Sequence, residues 1–329
     1  MIDYATLFSF TKTLFQNIGC SDKDAEQAAT VLISADLRGI DSHGVARLSG
    51  YVRLYEVGRI NTEPVVKIVH ETPSTASVDG DKGLGLVVAP KAMQIAIEKA
   101  RAVGSGWVSV KNSNHYGIAA AHAMLALEED MIGISMTNAS ALVAPTFSTE
   151  RMLGTNPICV AIPAGSQPAF VADLATTTAA NGKLEILQRN NLEAPLGWIQ
   201  DKEGSSITDA HALKNGGALL PLGSDREHGS HKGYALGAVV DIFSAVLSGA
   251  NYGPWVPPFL LMYRCRIIGP EKELGISSEL CALMVFGLQK NLKNIWTNGL
   301  NDSVLQKRSM RIKKLLFRVI PSGRRKPNE

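Results

Sequence analysis

Four short apolar runs, Trp107-Val108-Ser109-Val110, Ile132-Gly133-Ile134-Ser135-Met136, Ile158-Cys159-Val160-Ala161-Ile162 and Ala169-Phe170-Val171-Ala172, constrain this chain most. Each has the length and content of a buried strand, and stretches at about 90–103, 117–130 and 231–248 between or after them repeat apolar residues at helical spacing. A chain that alternates in this way must cover a sheet with helices, so an α/β architecture follows. The first sixty residues lack such runs. There Ser21 can cap a helix with Asp24 in the capping-box position, and Ala25, Ala28, Ala29, Leu32 and Ile33 form one apolar face ending near Gly39. A second helix is expected after Ser42, turning Val45, Leu48, Val52 and Tyr55 inward and stopping at Gly58. The expected organisation is a helical N-terminal subdomain over 1–72, an α/β region over 73–258 and a separate tail over 259–329.

The tail is set apart by charge. Residues 259–329 carry 14 Lys or Arg and 5 Asp or Glu, whereas the preceding residues carry 19 basic and 25 acidic ones. A basic stretch such as Lys307–Lys314 is read as a solvated end, so nucleic acid is not an expected partner. The switch in content near Phe259 is of the kind an altered reading frame would leave. With 329 residues, 45% hydrophobic and 19% charged, the chain can build a large core. Its longest apolar stretch, Tyr234–Ala250, is interrupted by Asp241 and is shorter than the roughly 20 residues of a membrane span, so it reads as a buried helix. The start contains acidic Asp3 and no basic leader, and cysteines 20, 159, 265 and 281 share no close spacing. A cytoplasmic protein without a zinc site or a disulfide framework is expected.

Chemistry concentrates in two places. In Asp41-Ser42-His43-Gly44, a capping Ser42 would put His43 in the first turn of a helix and Arg47 one turn later on the same face. The positive helix end would then keep His43 near the neutral form, and Arg47 would offer a fork for a substrate carboxylate. The plainer reading is a packed histidine beside an arginine in a surface ion pair. The second place is Lys111-Asn112-Ser113-Asn114-His115-Tyr116-Gly117, a polar loop after a strand, with Gly117 opening an Ala-rich helix whose amides could meet an anion. His115 is read equally as functional or as structurally hydrogen-bonded, and His122 as structural. Neither a Walker loop nor G-x-G-x-x-G is present. Gly80-Asp81-Lys82-Gly83-Leu84-Gly85 comes nearest and reads as a loop.

Six ordered motifs add what spacing does not. Asp36-Leu37-Arg38-Gly39-Ile40-Asp41-Ser42-His43-Gly44, Asn112–Gly117, Gly154-Thr155-Asn156-Pro157, Asp173-Leu174-Ala175-Thr176, Asn181-Gly182-Lys183 and His231-Lys232-Gly233-Tyr234 make residues 1 to about 258 resemble the type 2 malate/L-lactate dehydrogenase family. The resemblance implies a non-Rossmann, mixed-sheet NAD(P)-binding fold, a homodimer and a small carboxylate substrate, with NAD or NADP as cofactor and no metal. By the same resemblance His43 donates or accepts a proton at the substrate oxygen with Ser42 beside it, and Arg47 and Thr155 hold the substrate. His115, the stretch from Asn138 to Ser140, Asp173, Leu174, Ala175 and Lys232 contact the cofactor. Lys183 joins the catalytic group and points to hydroxy-acid or ureidoglycolate substrates. The implied reaction is hydride transfer at a carbon next to a carboxylate. The family's expected ending does not follow Pro258, which leaves a second reading, an inactive relative with a truncated nucleotide pocket and a basic interaction tail. A third, a metal-dependent hydrolase, would use His43, His115 and His231.

Overall fold

Side chains start the first two helices. In a computed structural model that describes residues 2–258 and 281–287, Asp3 accepts the Thr6 amide at the head of α1 (Tyr4–Asn17), and Ser21 accepts the Asp24 amide at the head of α2 (Asp22–Leu37). Ala25, Ala28, Ala29, Leu32 and Ile33 form the buried face of α2, as their spacing predicts. The next helix meets its expectation in part. Residues 45–47 make a 3-10 turn before α3 (Leu48–Glu56); Leu48 is buried and Val45 and Val52 pack against the same core as expected, but Tyr51 and Leu54 join them while Tyr55 is 40% exposed. The tighter turn advances about 120° per residue in place of the roughly 100° of an α-helix, which rotates the buried face. Phe15, Leu32, Tyr51 and Leu54 pack with Leu84, Leu86 and Val87 into one core cluster.

The main sheet follows, with β1 (Lys67–Glu71), β2 (Thr75–Gly83), α4 (Gly85–Val103), β3 (Ser105–Ser113), α5 (Ala119–Ala123), β4 (Met131–Thr137), β5 (Ile158–Ile162) and β6 (Phe170–Leu174). A smaller lobe contains α6 (Asn181–Arg189) and the short strands β7 (Ile199–Gln200), β8 (Ser206–Ile207) and β9 (Ala218–Leu219) around Leu184, Ile199 and Leu213. It is followed by α7 (Ser230–Ser244) and β10 (Cys281–Gly287). The seven-stranded order is β1-β2-β3-β10-β4-β5-β6, and only β2 and β3 run parallel. This is the mixed α/β sheet the motifs imply. The Gly80–Gly83 segment is not a loop but the end of β2, bulged at Asp81 (φ 51°) and Lys82 (φ 57°), where the register with β3 shifts. The helix expected from 90 begins at Gly85. The one expected over 117–130 is only α5 followed by a 3-10 turn over Met124–Glu129.

Two further expectations change. Although the 234–250 stretch reads as buried, Val239, Ile242, Val246 and Leu247 are all more than 40% exposed, because only the side of α7 carrying Gly233, Gly237, Val240 and Ser244 meets protein. The tail divided off by its charge also reaches the centre of the fold. Cys281–Gly287, uncharged within that basic segment, inserts as β10 between β3 and β4. Leu283 and Val285 join the core beneath α4, and Met284 packs with Met136 and Val240 on the opposite face, as strand alternation demands. Residues 259–280 and 288–329, including the Lys307–Lys314 run and Cys265, lie outside the described residues. Cys20 and Cys159 are buried free thiols, both pushed up by burial, Cys20 to about 11. Among the described residues no helix is long and apolar enough to cross a membrane.

Candidate active site

The turn after α2 is built around the carboxylate of Asp36. Its Oδ2 accepts the Val45 amide at 2.9 Å, so Asp36, and not Ser42, meets the head of the 3-10 turn. A Cβ at Gly44 would fall 2.0 Å from that carboxylate, which is why the turn needs a glycine there. Ser42 is left for a different partner. Its Oγ lies 2.8 Å from His43 Nδ1. Burial, and next the charge of Arg47, hold His43 down at about 4, so the ring is neutral at pH 7. The expected helix-end effect is replaced by desolvation and a neighbouring cation.

His115 comes from the far end of β3 and stacks on His43 with ring centroids 5.9 Å apart. Its Nδ1 lies 2.6 Å from Tyr51 Oη and accepts the Gly117 amide at 3.3 Å. An accepting Nδ1 puts the proton of the neutral ring on Nε2. Burial first, then His43 and Arg47, holds this imidazole well below the ordinary range. His115 therefore makes the structural hydrogen bonds of the plainer reading and also stacks on His43. His122 is structural, its Nε2 bonded to the Tyr116 carbonyl at 2.8 Å.

Arg47 closes the group. It is buried, donates from Nε to the Ser42 carbonyl at 2.5 Å and pairs through Nη2 with Glu185 of α6 at 3.3 Å. The expected surface ion pair is thus a buried one. A Cβ on Gly182 would meet Ser42 Cβ at 2.6 Å and Arg47 Nη2 at 2.8 Å, so α6 can cross the histidine turn only with a glycine at that point. Between them opens a cavity of about 490 Å³ lined by Ser42, Arg47, Glu185, Arg189, His211 and Lys214, among others. Neutral imidazole, hydroxyl and guanidinium together can move a proton beside a bound carboxylate.

The remaining sequence candidates lie in other positions. Lys183 follows Gly182 but is exposed, with Nζ 5.6 Å over the Trp198 ring. Thr155 takes part through its carbonyl, which accepts the amide and the hydroxyl of Thr176 at 3.0 and 3.1 Å. Asn138 is buried and donates to the Asn251 carbonyl, while Ser140 is half-buried two residues on. Asp173 Oδ2 accepts the Ala120 amide at 3.0 Å, so the anion expected at the Ala-rich helix is supplied by the protein itself. Burial raises the Asp173 carboxyl, while the Ala120 amide and the Arg38 cation pull the other way; because the residue keeps an exposed edge, water tempers the shift. Leu174 is 41% exposed and Ala175 half-buried at the end of the same strand, and Lys232 is exposed in the first turn of α7. Among the described residues no three His, Cys, Asp or Glu side chains gather as a metal-binding group, and His231 is exposed on α7.

Sequence reasoning did not single out Tyr51, Glu185 or Asn156. Tyr51 lies four residues after Arg47, and that spacing was a usable signal. Nothing local marks Glu185, whose partner is distant in sequence. Asn156, at φ 33°, ties the Ala139 amide to the Gly237 carbonyl and so fixes the 138–140 stretch against α7.

Known proteins resemble this arrangement. The family model described as malate/L-lactate dehydrogenase matches residues 2–265. A malate dehydrogenase of Pyrococcus abyssi is 51% identical over 251 residues, 76% of this chain and 69% of that protein. An L-sulfolactate dehydrogenase of Methanocaldococcus jannaschii is 42% identical over 241 residues, 73% of this chain and 67% of that protein. The crystal structure of malate dehydrogenase from Entamoeba histolytica superposes with a TM-score of 0.81 at 32% identity, covering 92% of this chain and 85% of that one.

Proposed function

The chain belongs to the malate/L-lactate dehydrogenase family, oxidoreductases of 2-hydroxy acids, and from that premise we propose that it transfers a hydride between NAD or NADP and a small 2-hydroxy or 2-oxo acid, with His43 carrying the proton. The observation that carries the proposal is the 2.8 Å contact between Ser42 Oγ and His43 Nδ1 in a turn that also presents Arg47 to the cavity. A hydroxyl can donate to a bare Nδ1 or accept from a protonated one. His43 Nε2 can then gain a proton from a substrate alcohol, or return one to an oxo oxygen, without leaving Nδ1 unpaired in either state. Arg47 receives the substrate carboxylate. That anion cancels part of the charge that helps hold His43 low, so binding itself brings the imidazole toward its working range. Holding acid, hydroxyl and carboxylate in one geometry supplies the orientation part of the rate.

The residues proposed for the cofactor fit such a group in character. Leu174 offers exposed apolar surface, and Lys232 an exposed ammonium where the first amides of α7 favour a phosphate. When bound, the nicotinamide supplies the hydride acceptor or donor. His115, proton fixed on Nε2, serves as a hydrogen-bond donor beside the reacting group. Lys183 lies over Trp198, and a role for it at the substrate oxygen requires it to leave that ring. The apolar surface of α7 and the 3-10 turn after it, with Val239, Ile242, Val246 and Leu247 exposed, supports a second copy of the chain as partner. Ile242→Asp is expected to lower the mass measured by sedimentation if that face forms the dimer.

The experiment is nicotinamide absorbance with oxaloacetate, pyruvate, glyoxylate and ureidoglycolate, each with both cofactors. Turnover with at least one acid is the expected result. Its absence with all of them, in a folded sample, overturns the reading.

A further inference from the structure

Arg47 is at once a buried cation and the proposed seat of the substrate carboxylate, and the protein answers the first demand with a residue of its own. Only 7% of Arg47 is exposed, and a charge so placed is costly without a partner. Its Nε is engaged by the Ser42 carbonyl at 2.5 Å, which leaves the Nη1–Nη2 end of the guanidinium as the fork for an incoming carboxylate. Glu185 already stands at that end, with Oε2 3.3 Å from Nη2. Substrate carboxylate and Glu185 carboxylate therefore claim the same donors.

The Glu185 contact has the character of one that can be given up. At 3.3 Å, through one oxygen, it is longer than the roughly 2.8 Å of a tight charge-assisted bond, and a bidentate ligand would outcompete it. The other oxygen, Oε1, accepts Asn181 Nδ2 at 2.9 Å, a contact within α6 that does not depend on Arg47. Four residues further along α6, in the order that favours a Glu–Arg pair, comes Arg189. It lines the same cavity, rests its Nε on the Glu185 carbonyl at 3.2 Å and has no carboxylate partner among the described residues. Glu185 thus has a second cation on its own helix. The opposite role, a buttress that aims the guanidinium at the substrate, fits less well, because the Ser42 carbonyl already orients Arg47 and Glu185 covers the end a ligand needs.

We propose that Glu185 is a displaceable counter-ion, which neutralises Arg47 while the site is empty and yields it to the substrate carboxylate by moving toward Arg189. The proposal rests on the dehydrogenase reading above. Glu185 is a positioning residue in it: it sets substrate affinity through Arg47 and takes no part in moving the proton or the hydride.

The full chain, in the presence of NADH or NADPH, is titrated calorimetrically with L-lactate, whose single carboxylate reports on Arg47; two reduced partners cannot exchange hydride, so binding is read without turnover. Glu185→Gln is expected to bind lactate about tenfold more tightly than the unaltered protein, because a second anion no longer competes for the guanidinium. Without ligand the same variant is expected to melt at a lower temperature, and to gain more from saturating lactate. A merely structural ion pair would lower the melting temperature and leave the affinity where it was. Arg189→Gln, at an exposed position where folding is not at stake, is expected to weaken lactate binding about twofold, the scale of one helical ion pair, and to have no effect beside Glu185→Gln. Unchanged or weaker binding in Glu185→Gln, unchanged affinity in Arg189→Gln, or lactate bound by neither the unaltered protein nor the variants overturns the displacement. A loss in Arg189→Gln that persists beside Glu185→Gln also overturns it, giving Arg189 to the ligand. Tighter lactate binding in Glu185→Gln without hydride transfer to any acid upholds the displacement and instead sinks the dehydrogenase reading.

Discussion

His43 and His115 stack with centroids 5.9 Å apart, and burial holds both neutral, but their Nδ1 atoms face different chemistry. His43 meets a serine hydroxyl, which can donate or accept as the ring requires. The Nδ1 of His115 meets the Gly117 amide, a group that can only donate, together with the Tyr51 hydroxyl. Protonating His115 there would turn the amide contact into a clash of two donors. Burial alone therefore does not make a histidine an acid or a base; the partner on the second nitrogen decides whether the ring can change state.

The sharpest way to break this contrast is His43→Ala. Loss of its proton transfer is expected to lower kcat by about 10²–10⁴, with cofactor binding retained, as steady-state kinetics and nicotinamide fluorescence would report; full retention of kcat removes His43 from the chemistry.

Acid stability comes next. His43 and His122 sit at about 4 in the folded protein against 6.5 in the unfolded chain, so the unfolded state binds more protons between those values. Stability should thus fall as pH drops through the window from 6.5 to 4. For fully buried His122 the loss is on the order of 3 kcal/mol. Asp173, raised to about 6, works in the opposite direction over the range from 3.8 to 6 and is tempered by its exposed edge. Urea midpoints at pH 7 and pH 4.5 check the sum, and His122→Gln should flatten the slope.

Ser42→Ala removes the switching partner and leaves an imidazolium Nδ1–H unpaired in the charged state. A fall in kcat of about 10–100-fold is expected, the scale of a hydrogen bond to a charged group. The acid limb of the pH–rate profile should move to lower pH, because the charged ring has lost its acceptor. The smallest effect is reserved for Tyr51→Phe, which removes one neighbour of His115 Nδ1 but keeps the amide that fixes the tautomer. About 1 kcal/mol of stability should be lost, with kcat changing less than in Ser42→Ala. A larger kinetic effect for Tyr51→Phe than for Ser42→Ala would reverse the assignment of switchable and fixed rings.

The local grammar of the chain carried much of this. The capping serine and apolar face of α2, the strand at Ile158–Ile162 and the association of His43 with Arg47 were legible because each depends on residues close in sequence. On α3 the expected Val45, Leu48 and Val52 face the core, but Tyr55 was misjudged because a 3-10 turn changed the angular step before the helix began. The tail was misjudged for a different reason. Net charge averages over a segment, whereas a strand is recruited by seven residues, and Cys281–Gly287 contains no charged residue to prevent its burial.

The sequence by itself determined the alternating elements, the mixed α/β class, the family and the turn that bears the site, since spacing and short-range caps specify these. Tertiary structure alone decided that His115 lies against His43, that Asp36 rather than Ser42 holds the start of the turn, and that Glu185 reaches Arg47. Those contacts join residues on separate elements, and their energies come from burial and from partners that no local pattern names. The partner that each of these two histidines holds on Nδ1 was decided there too, by what the folded chain placed beside it.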